Sequence, residues 1–428
     1  MKVSIVTLGC KVNQFESQAL EQLLTERGHE IVAEGEAAEV CVVNTCAVTA
    51  ESVRKSRQAV RRAMTAEPEA LIAVCGCWSQ ISPEEAKALG AQLVGGSGDR
   101  RAFVEQMEET FRTRQTRVVT DEALRRRVFE PLPAGKLHGR TRAMLKVQDG
   151  CVNFCTYCVI PYARGPVRSL PLKDAVAEAK RIEAAGIKEI VITGIEIASY
   201  GRDLAGETDL AGLTAAVAEA VPGMRLRLGS LEPRVVTKEF CETLKAIPGL
   251  CPHFHLSLQS GCDATLRRMR RKYDTARFYE SVRLLREAFP GCGLTADLIT
   301  GFPGEDEEEF AETLAFIRQC AFSSMHVFPY SVRPGTVAAE MPLQVEKAVK
   351  KERANRAIAA AAEMRREYLA SCVGKRFSVL FETKEKNGSA GYAENYCPVR
   401  VEKDGLAGRV LPVLVTNWDE NGLFGQIG

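Results

Sequence analysis

No apolar run in this 428-residue chain approaches the ~20 residues that a membrane helix needs, so no membrane partner is expected. No secretory leader is expected either. The opening Met1-Lys2-Val3-Ser4-Ile5-Val6 enters a strand pattern at once and has neither an h-region nor a cleavage site, which makes the cytoplasm the expected location. There is no internal repeat and no low-complexity tract. Charge of one sign is also lacking, with 57 Lys and Arg against 55 Asp and Glu, so net charge by itself identifies no partner. The 46% apolar and 26% charged residues are ordinary globular values, which excludes disorder and collagen-like structure. At roughly 150 residues per domain the length suggests about three domains. A chain this long buries close to three quarters of its unfolded surface and needs no disulfides to hold a core.

Cysteine, by contrast, is abundant. Fifteen is an odd number, and without a secretion signal a disulfide framework is not expected. Metal ligation or redox chemistry becomes the leading account of at least some of them. Positive charge is clustered although the total is near zero. Between Arg112 and Lys146 stand ten Lys or Arg and three acids; Arg54-Lys55-Ser56-Arg57 with Arg61-Arg62, and Arg267 to Lys272, are further clusters. Such patches suit a polyanion such as nucleic acid; solvated helix faces are the alternative.

The pattern along the chain predicts an α/β protein. Residues 1–120 alternate apolar runs (Val3–Leu8, Val40–Asn44, Leu71–Val74, Gln92–Val94) with helical stretches, which predicts a parallel sheet covered by helices. Residues 121–141 are basic, contain Pro131 and Pro133, lack a period, and read as a linker. From 142 to 370 six larger strand–helix units predict a partial (β/α)6 barrel, with its chemistry on loops at the C-terminal ends of strands. A long helix from about Val345 to Ala370 ends this part. Residues 371–428 hold short β runs divided by Gly and Asn, and predict a small all-β barrel.

The strongest motif is Cys151-Val-Asn-Phe-Cys155-Thr-Tyr-Cys158, directly after the first barrel strand. A short irregular loop can aim three thiolates at the corners of an iron–sulfur cube, leaving one iron open. Zinc and plain buried thiols are the other readings. On this motif the chain resembles the radical S-adenosylmethionine (SAM) enzymes, whose open iron binds SAM. The resemblance implies a role beside the cofactor for Tyr157, the aromatic residue before the last cysteine. It implies the same for the loops that end the second, third and fourth strands, through Gly194, Glu196, Glu232 and Gln259. A strand-to-helix turn explains Gly and Pro in such loops equally well.

Cys10, Cys46 and Cys77 follow the first, second and third strands of the N-terminal sheet, on the edge where parallel sheets bind ligands. Three thiolates from three loops suit a second cluster. Cys41 and Cys75 fall inside strands and read as packed thiols. In combination with Gly9-Cys10 and Asn13, Asn44-Thr45-Cys46, Gly76-Cys77, Ile160 to Gly165, His255 to Gly261 and Phe328 to Thr336, the chain resembles the methylthiotransferases over essentially its whole length. That resemblance implies two [4Fe-4S] clusters and SAM, with Cys151, Cys155 and Cys158 holding the cluster that cleaves SAM. Cys10, Cys46 and Cys77 would hold the cluster that carries the methylated sulfur. It implies a C-terminal TRAM barrel, a flavodoxin- or ferredoxin-type electron donor, and a tRNA anticodon stem-loop rather than DNA as partner. Residues Leu8 to Glu16, Arg268 to Tyr273 and His326 to Ser331 are most similar to the branch acting on threonylcarbamoyladenosine. The isopentenyladenosine and ribosomal-protein aspartate branches are the alternatives. A non-catalytic iron–sulfur electron carrier or RNA-binding sensor is the alternative of another class.

Overall fold

The computed structural model describes residues 1–135, 139–206 and 208–428. Lys136, part of the basic run, lies outside them. The N-terminal unit runs β1 (Lys2–Thr7), α1 (Lys11–Glu26), β2 (Glu30–Val32), β3 (Val40–Thr45), α2 (Ala50–Ala66), β4 (Leu71–Gly76), α3 (Cys77–Ile81), α4 (Pro83–Ala88), β5 (Leu93–Gly95), α5 (Arg100–Thr113) and β6 (Arg117–Val119). β3 and β4 are buried at every residue, as strands covered by helices on both faces must be. The sheet is parallel, in the order β2-β1-β3-β4-β5-β6. Strand order reverses between β1 and β3, and open α/β sheets bind ligands outside the strand ends at that reversal.

The central unit runs β7 (Arg142–Asp149), α6 (Ile160–Arg164), β8 (Arg168–Ser169), α7 (Leu172–Ala184), β9 (Glu189–Gly194), α8 (Leu210–Ala220), β10 (Arg225–Leu228), β11 (Ser230–Leu231), α9 (Lys238–Lys245), β12 (His253–Gln259), α10 (Asp263–Arg268), α11 (Thr275–Ala288), β13 (Gly293–Thr300), α12 (Glu307–Cys320) and β14 (Ser324–Pro329). Two four-stranded sheets, β8-β7-β9-β10 and β11-β12-β13-β14, meet where Gly229 alone separates β10 from β11. The result is the open, mixed α/β barrel expected, with β8 added as a short antiparallel edge on β7. Phe15 and Ala19 of α1 belong to one continuous core with Leu145 of β7 and Ile190 of β9, so the two units share their interior.

α13 (Lys347–Ser371) leads to β15 (Arg376–Glu385), β16 (Gly388–Ala393), β17 (Pro398–Val401), β18 (Val410–Asp419) and β19 (Gly422–Ile427). These close into a barrel, β15-β16-β17-β19-β18. β16, Gly-Ser-Ala-Gly-Tyr-Ala, has no apolar signal. It is held by pairing with β15 and β17, and a Cβ at Gly391 would stand 2.0 Å from the Leu380 carbonyl oxygen, an approach only glycine permits.

This tail barrel sits on the N-terminal ends of the central strands. Arg225 and Arg227 of β10 donate to backbone carbonyls of Ser378, Tyr392 and Glu394, and Arg142 of β7 pairs with Glu382. Glu189, at the start of β9, is buried and holds Arg225 at 3.0 Å and Arg227 at 2.8 Å.

The basic run is the one sequence feature whose meaning changes. Arg112 and Arg117 pair with Glu109, Arg125 with Glu122, Arg126 with Asp121, Arg142 with Glu382, and Lys146 with Glu16 and Asp149. Among the described residues, six of its cations therefore stand in ion pairs, those of Arg112 and Arg125 at the surface. Its middle is a tied-down strap: Phe129, Leu132 and Ala134 are buried, and Glu130 accepts from the Arg100 backbone N–H at 2.6 Å. Among the described residues no helix is long and apolar enough to cross a membrane.

Candidate active site

The N-terminal triad is built by tight turns at the ends of β1, β3 and β4. Gly9 takes φ +100°, and a Cβ there would meet Cys46 Cβ at 2.6 Å and Sγ at 2.8 Å. Gly76 takes φ +105°, with a virtual Cβ 2.4 Å from the Thr45 carbonyl oxygen. Glycine is thus what lets the three loops touch. Asn13, fully buried, ties them: its Nδ2 donates to the Leu8 and Thr45 carbonyls at 2.8 and 2.9 Å. Thr45 Oγ1 donates to the Cys75 carbonyl at 2.6 Å. Cys10 stands at the N-cap of α1 and is exposed, whereas Cys46 and Cys77 are buried. Burial pushes the Cys77 thiol up to about 12, offset in part by Arg164; Cys10 and Cys46 lie near enough to raise it further.

The barrel triad follows β7 on an irregular loop, where Phe154 has φ +47°. Cys158 N–H donates to the Cys155 carbonyl at 2.9 Å, and Asn153 N–H points at Cys151 Sγ at 3.5 Å. Arg271 Nη1 donates to Cys155 Sγ at 3.2 Å. Burial raises Cys151 to about 11 and Cys158 to about 12. Thiols held that high stay protonated until a metal ionises them.

Of the loop residues expected around the cofactor, Glu196 is the most telling. Burial raises its carboxyl to about 7, close to Cys151, and its Oε1 is buried without a hydrogen-bond partner. Glu232 is occupied, accepting from Arg234 Nε at 2.8 Å and Arg234 N–H at 3.1 Å. Gly194 has a packing reason of its own: a Cβ would meet the Gln148 carbonyl oxygen at 2.7 Å. Tyr157 and Gln259, the latter in a left-handed turn at φ +68°, line a cavity of about 260 Å³. Val48 and Thr49, just beyond Cys46, form its other wall, so the cavity lies between the two cysteine loops.

Three arginines with no individual role in the sequence reading complete the site. Arg164, at the end of α6, is fully buried and donates from Nε to Cys77 Sγ at 3.2 Å and from Nη2 to Asn13 Oδ1 at 2.9 Å. It also pairs with Glu16, which binds Arg100 at 2.7 Å and Lys146 at 2.9 Å. Arg271 and Arg333 are the others. All three lie in runs quoted for charge or resemblance, and nothing in their spacing separates a buried arginine from a solvated one.

Known proteins resemble this chain over nearly its whole length. Residues 145–317 match the radical SAM superfamily, and residues 2–95 match an uncharacterized protein family, UPF0004. The chain is 39% identical over 421 residues to the threonylcarbamoyladenosine tRNA methylthiotransferase MtaB of Bacillus subtilis, covering 96% of this chain and 93% of that one. It is 35% identical to the Aquifex aeolicus protein of the same name, covering 97% and 100%.

The chain belongs to the methylthiotransferases of the radical SAM superfamily.

A tRNA-2-methylthio-N(6)-dimethylallyladenosine synthase of Moorella thermoacetica is 35% identical over 391 residues, covering 89% and 87%. Among solved structures, the radical SAM methyltransferase TsrM of Kitasatospora setae superposes with a TM-score of 0.57 at 16% identity, over 79% of this chain and 77% of that one, a likeness of fold. Methylthiotransferases carry two [4Fe-4S] clusters and use SAM, and the residues present fit both. Among the described residues no three His, Cys, Asp or Glu converge tightly enough for a single metal ion. Two sets of three thiols, one on three turns and one on a single loop, suit the corners of two cubes, and the buried Glu196 Oε1, which has no hydrogen-bond partner, suits a ligand ammonium group.

Proposed function

We propose that this methylthiotransferase replaces the C2 hydrogen of N6-threonylcarbamoyladenosine, at position 37 of tRNA, with a methylthio group. The reading is carried by the near full-length match to enzymes named for that substrate, 32–39% identical over 92–99% of the chain. When bound, the two clusters and SAM supply the one-electron chemistry that an unactivated aromatic C–H requires. The chain's own residues do the rest. Cys151, Cys155 and Cys158 would hold one cluster, and Cys10, Cys46 and Cys77 the other. Glu196 would receive the SAM ammonium. Arg164 donates to Cys77 Sγ and Arg271 to Cys155 Sγ, where they would offset the negative charge of the bound clusters. The apolar wall formed by Val48, Ile299 and Phe328 receives the base, which an anticodon loop can splay out. The reaction takes place in the cytoplasm, with an electron donor of flavodoxin or ferredoxin type.

The test is anaerobic. Reconstituted protein, SAM and dithionite are mixed with tRNA carrying threonylcarbamoyladenosine, and nucleosides are read by mass spectrometry. A gain corresponding to SCH3 for H is expected. SAM cleavage with no modified nucleoside would discard the substrate, and tRNA carrying isopentenyladenosine would be tested next.

A further inference from the structure

Arg333 follows β14 and is only 8% exposed. Its side chain makes no hydrogen bond or ion pair with any described residue, and its buried Nε has no partner. Buried arginines are ordinarily paired, because an uncompensated charge is costly to desolvate. Cys46 and another cation, Arg57, act on its charge. It lines the cavity between the cysteine loops. The carboxylate in that lining, Asp297, makes no ion pair with Arg333; its Oδ2 lies 3.2 Å from His255 Nε2. The rest of the lining is mainly apolar or uncharged: Val48, Ile299, Phe328 and Pro329 on the walls, Tyr157 and Gln259 toward the barrel triad.

We infer that Arg333 anchors an oxyanion of the substrate nucleotide, which supplies the carboxylate-like partner the protein withholds. The inference rests on the proposed tRNA substrate. A planar guanidinium fork takes carboxylate and phosphate equally well. On this substrate two oxyanions are within the chemistry: the threonyl carboxylate of the modified base, and a backbone phosphate of the loop. Either fixes the base in the cavity with C2 held between the two triads.

The experiment compares reconstituted parent, Arg333→Gln and Arg333→Lys in anaerobic binding to two anticodon stem-loops. One carries threonylcarbamoyladenosine and the other plain adenosine. Iron content and the cluster electron paramagnetic resonance signals establish that each variant is loaded. Arg333→Gln is expected to bind the modified stem-loop about tenfold to a hundredfold more weakly, the loss of one charge-assisted hydrogen bond, with partial recovery in Arg333→Lys. A loss confined to the modified RNA identifies the carboxylate. An equal loss on both RNAs, with a salt slope reduced by about one, identifies a phosphate. Unchanged affinity for both RNAs overturns the inference. So does a change confined to the resonance of the Cys46 cluster, which would make Arg333 a neighbour of the cluster only. A parent enzyme that binds neither RNA overturns the substrate reading as well. One that modifies the threonylcarbamoyl RNA, with Arg333→Gln equal to it, overturns the inference alone.

Discussion

A single hydrogen at Gly9 decides whether Cys46 can lie beside Cys10. With φ at +100° and Cys46 Sγ at 2.8 Å from a virtual Cβ, alanine there is both strained and in collision. Gly9→Ala is expected to cost about 1–3 kcal/mol of backbone strain and to lose the iron of one cluster while keeping the other, read by iron analysis and resonance spectra. The neighbouring Glu16 is opposite in kind, a residue held by charge. Arg100, Lys146 and Arg164 converge on its 1%-exposed side chain. Glu16→Gln leaves those cations facing one another in the interior, and unfolding midpoints in urea are expected to fall by the equivalent of about 3–5 kcal/mol. An unchanged midpoint would show that the cations relax to water.

At the scale of elements, the proposed roles of the two sets of cysteine loops differ. Alanine at Cys151, Cys155 or Cys158 is expected to abolish 5′-deoxyadenosine formation from SAM. Alanine at Cys10, Cys46 or Cys77 is expected to leave that cleavage and stop methylthio transfer. A Cys46→Ala enzyme that still made product at the parent rate would falsify the two-cluster reading. Periodicity made most elements legible: β3 and β4 fall where unbroken apolar runs put them, as buried parallel strands do, β10 where Arg and Leu alternate, and α8 and α11 where helical patterns put them. Elements whose sequence is polar or small were not legible. β16 is small and polar but pairs along its length with β15 and β17, and α3 and α6 are single helical turns, too short to show a period. The cysteines were legible because each follows a strand. The arginines that face them were not, since burial of a charge depends on chains of partners such as Arg164–Glu16–Lys146, which join residues up to 148 apart in sequence.

At the scale of the molecule, that same chain of partners is the seam between the first two units. Burial would raise the Asp149 carboxyl, but Lys146, Arg164 and Arg168 hold it down at about 2, and Glu16 is likewise held well below its ordinary value. A depressed carboxyl stabilises the fold above its unfolded value, and that contribution is lost as protons are taken up on the way to the folded value. The seam is therefore expected to weaken as pH falls from about 4 toward about 2, visible as domain separation in small-angle scattering before secondary structure is lost. At the other end, Glu189 clamps the arginines that grip the tail barrel. Glu189→Gln is expected to expose the segment between α13 and β15 to limited proteolysis at neutral pH, where the parent resists.

The docking of the tail has a consequence for the footprint on RNA. The cysteine loops lie at one mouth of the central barrel and the tail barrel covers the other. The strands between them are up to eight residues long, about 25 Å at the rise of an extended chain. A lone nucleoside seated in the cleft cannot reach both mouths. Any RNA gripped by the tail while its base is in the cleft has to travel along the outside of the barrel, so length and curvature of the stem, and not only the identity of one base, enter into what the enzyme accepts.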